Sequence, residues 1–306
     1  METSEINQLG KELEIYTTVD FIGKGFPIFL PRGAKIQKTI EDYVLKLEEE
    51  KGYKLVRTPS ASRAEVYIIE DRYNEDDKAF FRIQSETGEA EIEHKINQIV
   101  LRPYSSPFHC SIFNETPKSY KDLPQKYCET STVYRNETDI KGIIKTRQIT
   151  ISDVSAFSDL NGIKGIIREI VEMQKNIEEK LGLEVSYTLS TWDDSRKEDY
   201  IGRIDEWDSI CKIMKSVLEE LDIPFKEDKN AMLYGPMITT YYNDIRFQSI
   251  QVDFEITHRF DMKYTSENNT EETPYYVHSN IVGSYERLLS ILIEKYKGDF
   301  PKWIKP

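Results

Sequence analysis

This sequence predicts an α+β domain built on antiparallel strands. Several segments carry apolar residues at helical spacing, and others alternate as half-buried strands do. The two kinds of segment are interleaved along the chain, and neither a repeat nor a low-complexity linker divides it.

The first strong helix is GAKIQKTIEDYVLKLEEEKG. Ile36, Ile40, Tyr43, Val44 and Leu47 recur every three or four residues, and Gly52 suits the left-handed residue that ends a helix. A short strand follows at residues 53–56. A second amphipathic helix is expected at about 162–181, closing at Gly182. A third carries Trp207, Ile210, Met214, Val217, Leu218 and Leu221, with Pro224 just beyond. The last starts near Ser284 and stops before Gly298. Residues 184–190, 237–242 and 247–256 are rich in aromatic and β-branched side chains and read as antiparallel strands. SENNTEET, at 266–273, is a polar hairpin tip between strand-like flanks.

With 306 residues and 39% hydrophobic content, the chain has an ordinary globular composition. It lacks an apolar run long enough for a bilayer, and its first residues are polar and acidic, unlike a secretory signal. A cytoplasmic location is expected. Cys110, Cys128 and Cys211 show no CxxC spacing, so buried reduced thiols are expected. The net charge of −13 argues against extensive RNA contact, which relies on cations neutralising phosphates.

Two segments carry chemistry. In TVYRNETDIKGIIKTRQITISDVSAF, Arg135 and Glu137 are two apart and share a face if they lie on a strand. A polar tip leads to a second strand bearing Lys145 and Arg147. Such a hairpin sets cations beside phosphate oxygens and a carboxylate where it can accept from an adenine amino group. Alone, Arg-x-Glu is a weak signal, and a surface ion pair on a strand is the better reading of an isolated instance. In VHSNIVGSYERLLSILIEKYKG, Gly283 precedes a helix whose first turn holds Glu286 and Arg287. An arginine there can reach an anionic ligand, or simply pair on the surface.

Together the two segments resemble motifs 2 and 3 of class II aminoacyl-tRNA synthetases. The helix ending in GYKLVRTP resembles motif 1, with Pro59 as its proline. KSYKDLP, VYRNE, LYGPMI, QVDF and the closing HSNIVGSYERLLSILIEKYKGDFPKWIKP are similar to the threonyl type. The chain is identified as a member of this family over nearly its whole length. Motif 1 falls near 34–59, motif 2 near 132–157 and motif 3 near 283–297. One catalytic domain spanning 1–306 is expected, with no editing or anticodon-binding domain.

The resemblance implies the class II antiparallel sheet flanked by helices, a homodimer formed through motif 1, and ATP bound with Mg2+. It implies that Arg135 holds the α-phosphate and Arg287 the γ-phosphate, as the catalytic pair. Glu137 reads adenine, Lys145 neutralises phosphate, and Ile149 stands where a phenylalanine usually stacks on the base. Gln251 is a further polar residue of the ATP site. Asp153 matches the aspartate for the substrate's α-amino group, and Tyr234 a tyrosine of the amino-acid pocket.

Threonyl enzymes read their substrate through a zinc ion held by one Cys and two His. Here those positions are Ser106, Ser155 and His278. Neutral serine hydroxyls are poor zinc ligands, so no zinc is expected. His109 matches a family histidine beside the site that does not bind the metal, and His94 and His258 sit among charged residues, where solvation is expected. Met237 replaces a lysine and Leu30 a histidine near the family's acyl-transfer site.

The expected function is therefore ATP-dependent formation of an aminoacyl adenylate from a small or polar amino acid other than zinc-selected threonine. The acceptor is left open between a tRNA, a carrier protein and a small molecule, with no membrane partner. The alternative is a non-catalytic paralogue that binds a nucleotide or a partner subunit. Retention of Arg135, Glu137, Asp153 and Arg287 opposes it, because unpaired arginines in a cleft are costly without an anion.

Overall fold

The strands expected from alternation become neighbours in one eight-stranded sheet. The structure is a computed structural model that describes residues 2–70, 79–83 and 98–306; His94 lies outside them. The strands are β1 (Lys54–Leu55), β2 (Gln125–Tyr134), β3 (Gln148–Ser158), β4 (Ser186–Ser190), β5 (Phe225–Asp228), β6 (Met237–Tyr242), β7 (Ile245–Asp253) and β8 (Tyr275–Ser284). Their order is β5-β4-β6-β7-β8-β3-β2-β1. The inner strands, β4 to β2 in that order, are antiparallel. The edge strands β5 and β1 pair in parallel.

The flanking helices follow the apolar periodicity. They are α1 (Thr3–Glu12), α2 (Pro31–Glu50), α3 (Ser106–Asn114), α4 (Leu160–Lys180), α5 (Ile204–Glu220) and α6 (Tyr285–Tyr296). Pro31 opens α2 in the first turn, where its missing N–H leaves no bond unmade. Asp159 caps α4 by accepting from the Gly162 N–H at 3.0 Å. Neither α1 nor α3 stands out in the sequence: both are short, and α3 has a weakly amphipathic pattern.

Alternation divides the sheet into two faces with different jobs. One face is apolar: Val154 and Ala156 of β3, Val277 of β8, Ile250 and Val252 of β7 and Ile238 of β6 are all fully buried. They share a core with Ile163, Ile166, Ile167, Ile170 and Val171 of α4. Burying each such side chain stabilises the fold by about 1.5–3 kcal/mol, so truncating Ile167 would weaken the support beneath β3 and β8. The other face carries the polar residues of the site.

Several boundaries differ from expectation. The strand expected at 247–256 begins earlier, at Ile245, because Asn243 takes a left-handed turn (φ 51°) in a tight hairpin. It ends at Asp253, whose carboxylate accepts from the Glu255 and Ile256 N–H groups and starts a short helix, Ile256–Arg259. Within 266–273, Glu271–Glu272 is itself a strand paired with Tyr264–Thr265, so the tip is shorter than expected. Cys110 and Cys128 are buried thiols outside any disulfide, but Cys211 is only partly buried. His258 is exposed on the short helix.

Candidate active site

The antiparallel registers turn separate sequence segments into rows across the polar face. Glu129, Asp153, Asn280 and Ser249 form one row; Tyr127, Ser155, His278 and Gln251 form the next. In the opposite direction along β3 come Ile151, beside Ser131, and Ile149, beside Val133. A ligand lying along β3 would thus meet Ile149 at one end and Ser155 at the other.

The ion-pair hairpin departs from a simple strand. The ladder β2–β3 ends at Tyr134 and Gln148, with one further bond from the Arg135 N–H to the Arg147 carbonyl. The Glu137 N–H then bonds the Arg135 carbonyl, which turns the chain. Arg135, Glu137 and Lys145 therefore lie in the loop beyond the strands, so strand alternation does not set where they point. Glu137 and Lys145 pair at 3.0 Å, each about one-third exposed. Such a pair is worth up to about 1 kcal/mol, so a phosphate or a base can replace either partner at little cost. Arg147 is committed to structure, donating from Nε to the Glu137 carbonyl at 2.9 Å.

Arg287 enters from motif 3. Gly283, with φ 64°, lets the chain pass under β7: a Cβ there would stand 2.0 Å from the Phe247 carbonyl oxygen. Ser284 then caps α6 by accepting from the Arg287 N–H at 3.2 Å. Buried Glu286 ties this helix to β3, since both of its oxygens accept from the Thr150 N–H at 2.9 Å. Burial raises its carboxyl to about 7 despite those bonds. The Arg287 guanidinium donates to the Ile144 and Arg246 carbonyls.

These constraints bring Arg135 and Arg287 together, and they add a third cation. Desolvation lowers the pKa of Arg287, and the charges of Arg246 and Arg135 lower it further. Arg246 is likewise lowered, first by the protein packed around it, while Tyr241 and Tyr234 favour its charge and Arg135 opposes it. Arg135 donates from Nε to the Pro103 carbonyl at 3.1 Å. The charges of Arg135 and Arg246 thus oppose that of Arg287, an arrangement that an anion would relieve. The sequence reading missed Arg246 because it started β7 two residues late; the tight hairpin at Asn243–Asp244 was the available signal.

At the other end, Asp153 accepts from Asn280 Nδ2 at 2.7 Å, and Ser131 Oγ lies 3.5 Å from its second oxygen. Desolvation raises its carboxyl pKa, against the pull of His109, Ser105 and Arg102. Asn280 was also missed, although it stands two residues after His278 and so shares its face. Gln251 is buried and donates to the Gly235 carbonyl at 3.3 Å. Tyr234, the residue before that glycine, lies close enough to Arg246 to favour its charge. Ser106 opens α3, and Ser155 faces His278 across β3 and β8. Ser155 Oγ is 2.6 Å from His109 Nδ1. Two hydroxyls and one imidazole do not supply the donor set of a zinc site.

Comparison with known proteins shows the family of the chain. Residues 89–296 match the family described as tRNA synthetase class II core domain (G, H, P, S and T). The chain belongs to that family. It is 34% identical over 310 aligned residues to a threonine–tRNA ligase of Clostridium perfringens, covering 98% of this chain and 47% of the relative. It is 30% identical to one of Thermosynechococcus vestitus, covering 98% of this chain and 50% of that protein. The chain thus spans about half the length of the curated relatives it matches. Among solved structures, the RNA binding domain of threonyl-tRNA synthetase from Cryptosporidium parvum shares the fold at TM-score 0.88 and 22% identity, covering 98% of this chain and 74% of that one. A Cryptosporidium parvum prolyl-tRNA synthetase complexed with L-proline and AMP does so at 0.75 and 12%, covering 100% of this chain and 55% of that one. Among the described residues, no helix is long and apolar enough to cross a membrane.

Proposed function

We propose that this chain activates an amino acid with ATP, forming an aminoacyl adenylate and releasing pyrophosphate. The observation that carries this reading is the convergence of Arg135, Arg246 and Arg287 at one end of a sheet face whose other end holds Asp153. Arg135 serves the α-phosphate, where charge develops as the amino-acid carboxylate attacks. Arg287 and Arg246 serve the outer phosphates and the departing pyrophosphate. Glu137 and Lys145 exchange their mutual pairing for adenine and phosphate, and Ile149 packs against the base. Asp153, held by Asn280, receives the α-amino group. Tyr234 and Gln251 border the site.

Among the described residues, no cluster of three or more His, Cys, Asp or Glu side chains stands ready for a metal. Magnesium therefore arrives on the nucleotide, held mainly by phosphate oxygens. Selection of the amino acid proceeds without zinc, because Ser106 and Ser155 take the places of two of its three ligands. The acceptor is a tRNA, a carrier protein or a small molecule. The acidic net charge of −13 favours one that does not depend on wide phosphate contact. We read the chain as one cytoplasmic catalytic domain that pairs with a second copy through α2 and the edge strand β1, where Leu55 is 45% exposed.

The test is amino-acid-dependent exchange of pyrophosphate into ATP across a full amino-acid panel. Exchange with one amino acid or a few related ones is expected. ATP binding without exchange for any of them would instead favour the non-catalytic paralogue.

A further inference from the structure

The positions corresponding to the zinc ligands do come together, but around a side chain. Tyr276, two residues before His278 on β8, has its hydroxyl 2.8 Å from Ser155 Oγ. Burial holds the pKa of the same phenol well above the ordinary value, while Ser106, at the start of α3, favours its ionisation. The tyrosine ring lies nearly flat between Phe157, at 4.9 Å and 17°, and His278, at 5.0 Å and 12°. It is 1% exposed. Its partner Ser155 is also held from the far side by His109, whose Nε2 stands 3.5 Å from Glu129 Oε1. Glu129 is fixed in turn by the N–H and hydroxyl of Thr58 and by Arg102.

We infer that the Tyr276 phenol is the specificity-determining group of the amino-acid pocket, filling the space between Ser106, Ser155 and His278 and limiting the substrate to a small, uncharged amino acid. A metal centre needs lone pairs aimed at an open point about 2 Å away. Here the Ser155 oxygen meets a hydroxyl that itself takes up the space. Hydroxyl groups can pair with a hydroxyl or leave a methyl undisturbed, whereas a charged side chain would be buried without a partner.

This inference rests on the proposed role of Asp153 in activation.

Two measurements keep the pocket claim separate from the activation claim. The first is calorimetric zinc titration of Ser106→Cys/Ser155→His, with Tyr276 intact and with Tyr276→Ala added. Uptake of one zinc per chain only after the tyrosine is shortened is expected. One zinc per chain with Tyr276 intact, or none in either variant, overturns the claim, whether or not the protein is an enzyme. The second is Tyr276→Phe, which keeps the ring stack and removes only the hydroxyl. The KM for the activated amino acid should rise at least tenfold, with the KM for ATP unchanged within twofold. An unchanged amino-acid KM, or equal loss for both substrates, overturns the claim. If the wild type exchanges with no amino acid, the activation reading fails and the zinc titration still decides the pocket.

Discussion

The two ends of the polar sheet face are built on different principles. At the nucleotide end, Arg135, Arg246 and Arg287 crowd like charges together, and an exposed pair, Glu137–Lys145, is ready to part. At the side-chain end, Tyr276, Ser155 and His109 bond one another and are all buried. In the proposed function the first end is completed by the phosphates of ATP. The second is already satisfied and offers a substrate little space. A fold can therefore retain the groups that serve every amino acid while the group that tells amino acids apart is replaced.

The comparison is broken most directly at the cations. Arg135→Ala and Arg287→Ala should each lower pyrophosphate exchange by at least about 100-fold, the loss typical when a preorganised transition-state contact is removed. A smaller effect is expected for Arg246→Ala: roughly a tenfold rise in the KM for ATP, as for one charged contact among several, with Arg246→Lys recovering part of it. Fluorescence titration with an ATP analogue would check the same order in binding alone.

The apolar side of the sheet provides a contrast in pH. Glu48 on α2 is 3% exposed, and burial pushes its carboxyl up to about 8 from the ordinary 4.5, against a hydrogen bond from Cys128. The folded chain thus binds this proton more tightly than the unfolded chain does. The resulting stability is complete below about 4.5 and is lost as pH rises through about 8. Glu48→Gln should therefore stabilise the fold at pH 8.5, by on the order of a few kcal/mol, with a higher melting temperature there and little change at pH 4.5. Thermal melts of both proteins across that range would show the two curves diverging. The smallest effect is expected at Lys145→Ala, which removes an exposed pair worth at most about 1 kcal/mol and should leave the melting temperature within a degree or two.

Much of this arrangement was legible in the sequence. The helices α2, α4, α5 and α6 announce themselves through apolar spacing and through Gly52, Gly182 and Ser284 at their ends, whereas the Asp159 cap, three residues before the expected start of α4, was missed. Arg135, Asp153 and Arg287 could be named from their motifs. What escaped were contacts made by register and by turns. Arg246 lies on the part of β7 fixed by the left-handed Asn243, and Asn280 matters because β8 lies beside β3. Tyr276 was not singled out, since only the folded sheet brings its hydroxyl to Ser155. The Asp253 cap, likewise, ends a strand that hydrophobic alternation alone would have continued to Ile256.

The most direct test of the central claim is pyrophosphate exchange by the wild type with magnesium in zinc-free buffer, alongside Arg135→Ala and Arg287→Ala. The account predicts exchange that depends on a small amino acid and falls at least about 100-fold in each variant. Exchange that is absent for every amino acid, or that survives loss of either arginine, would contradict it.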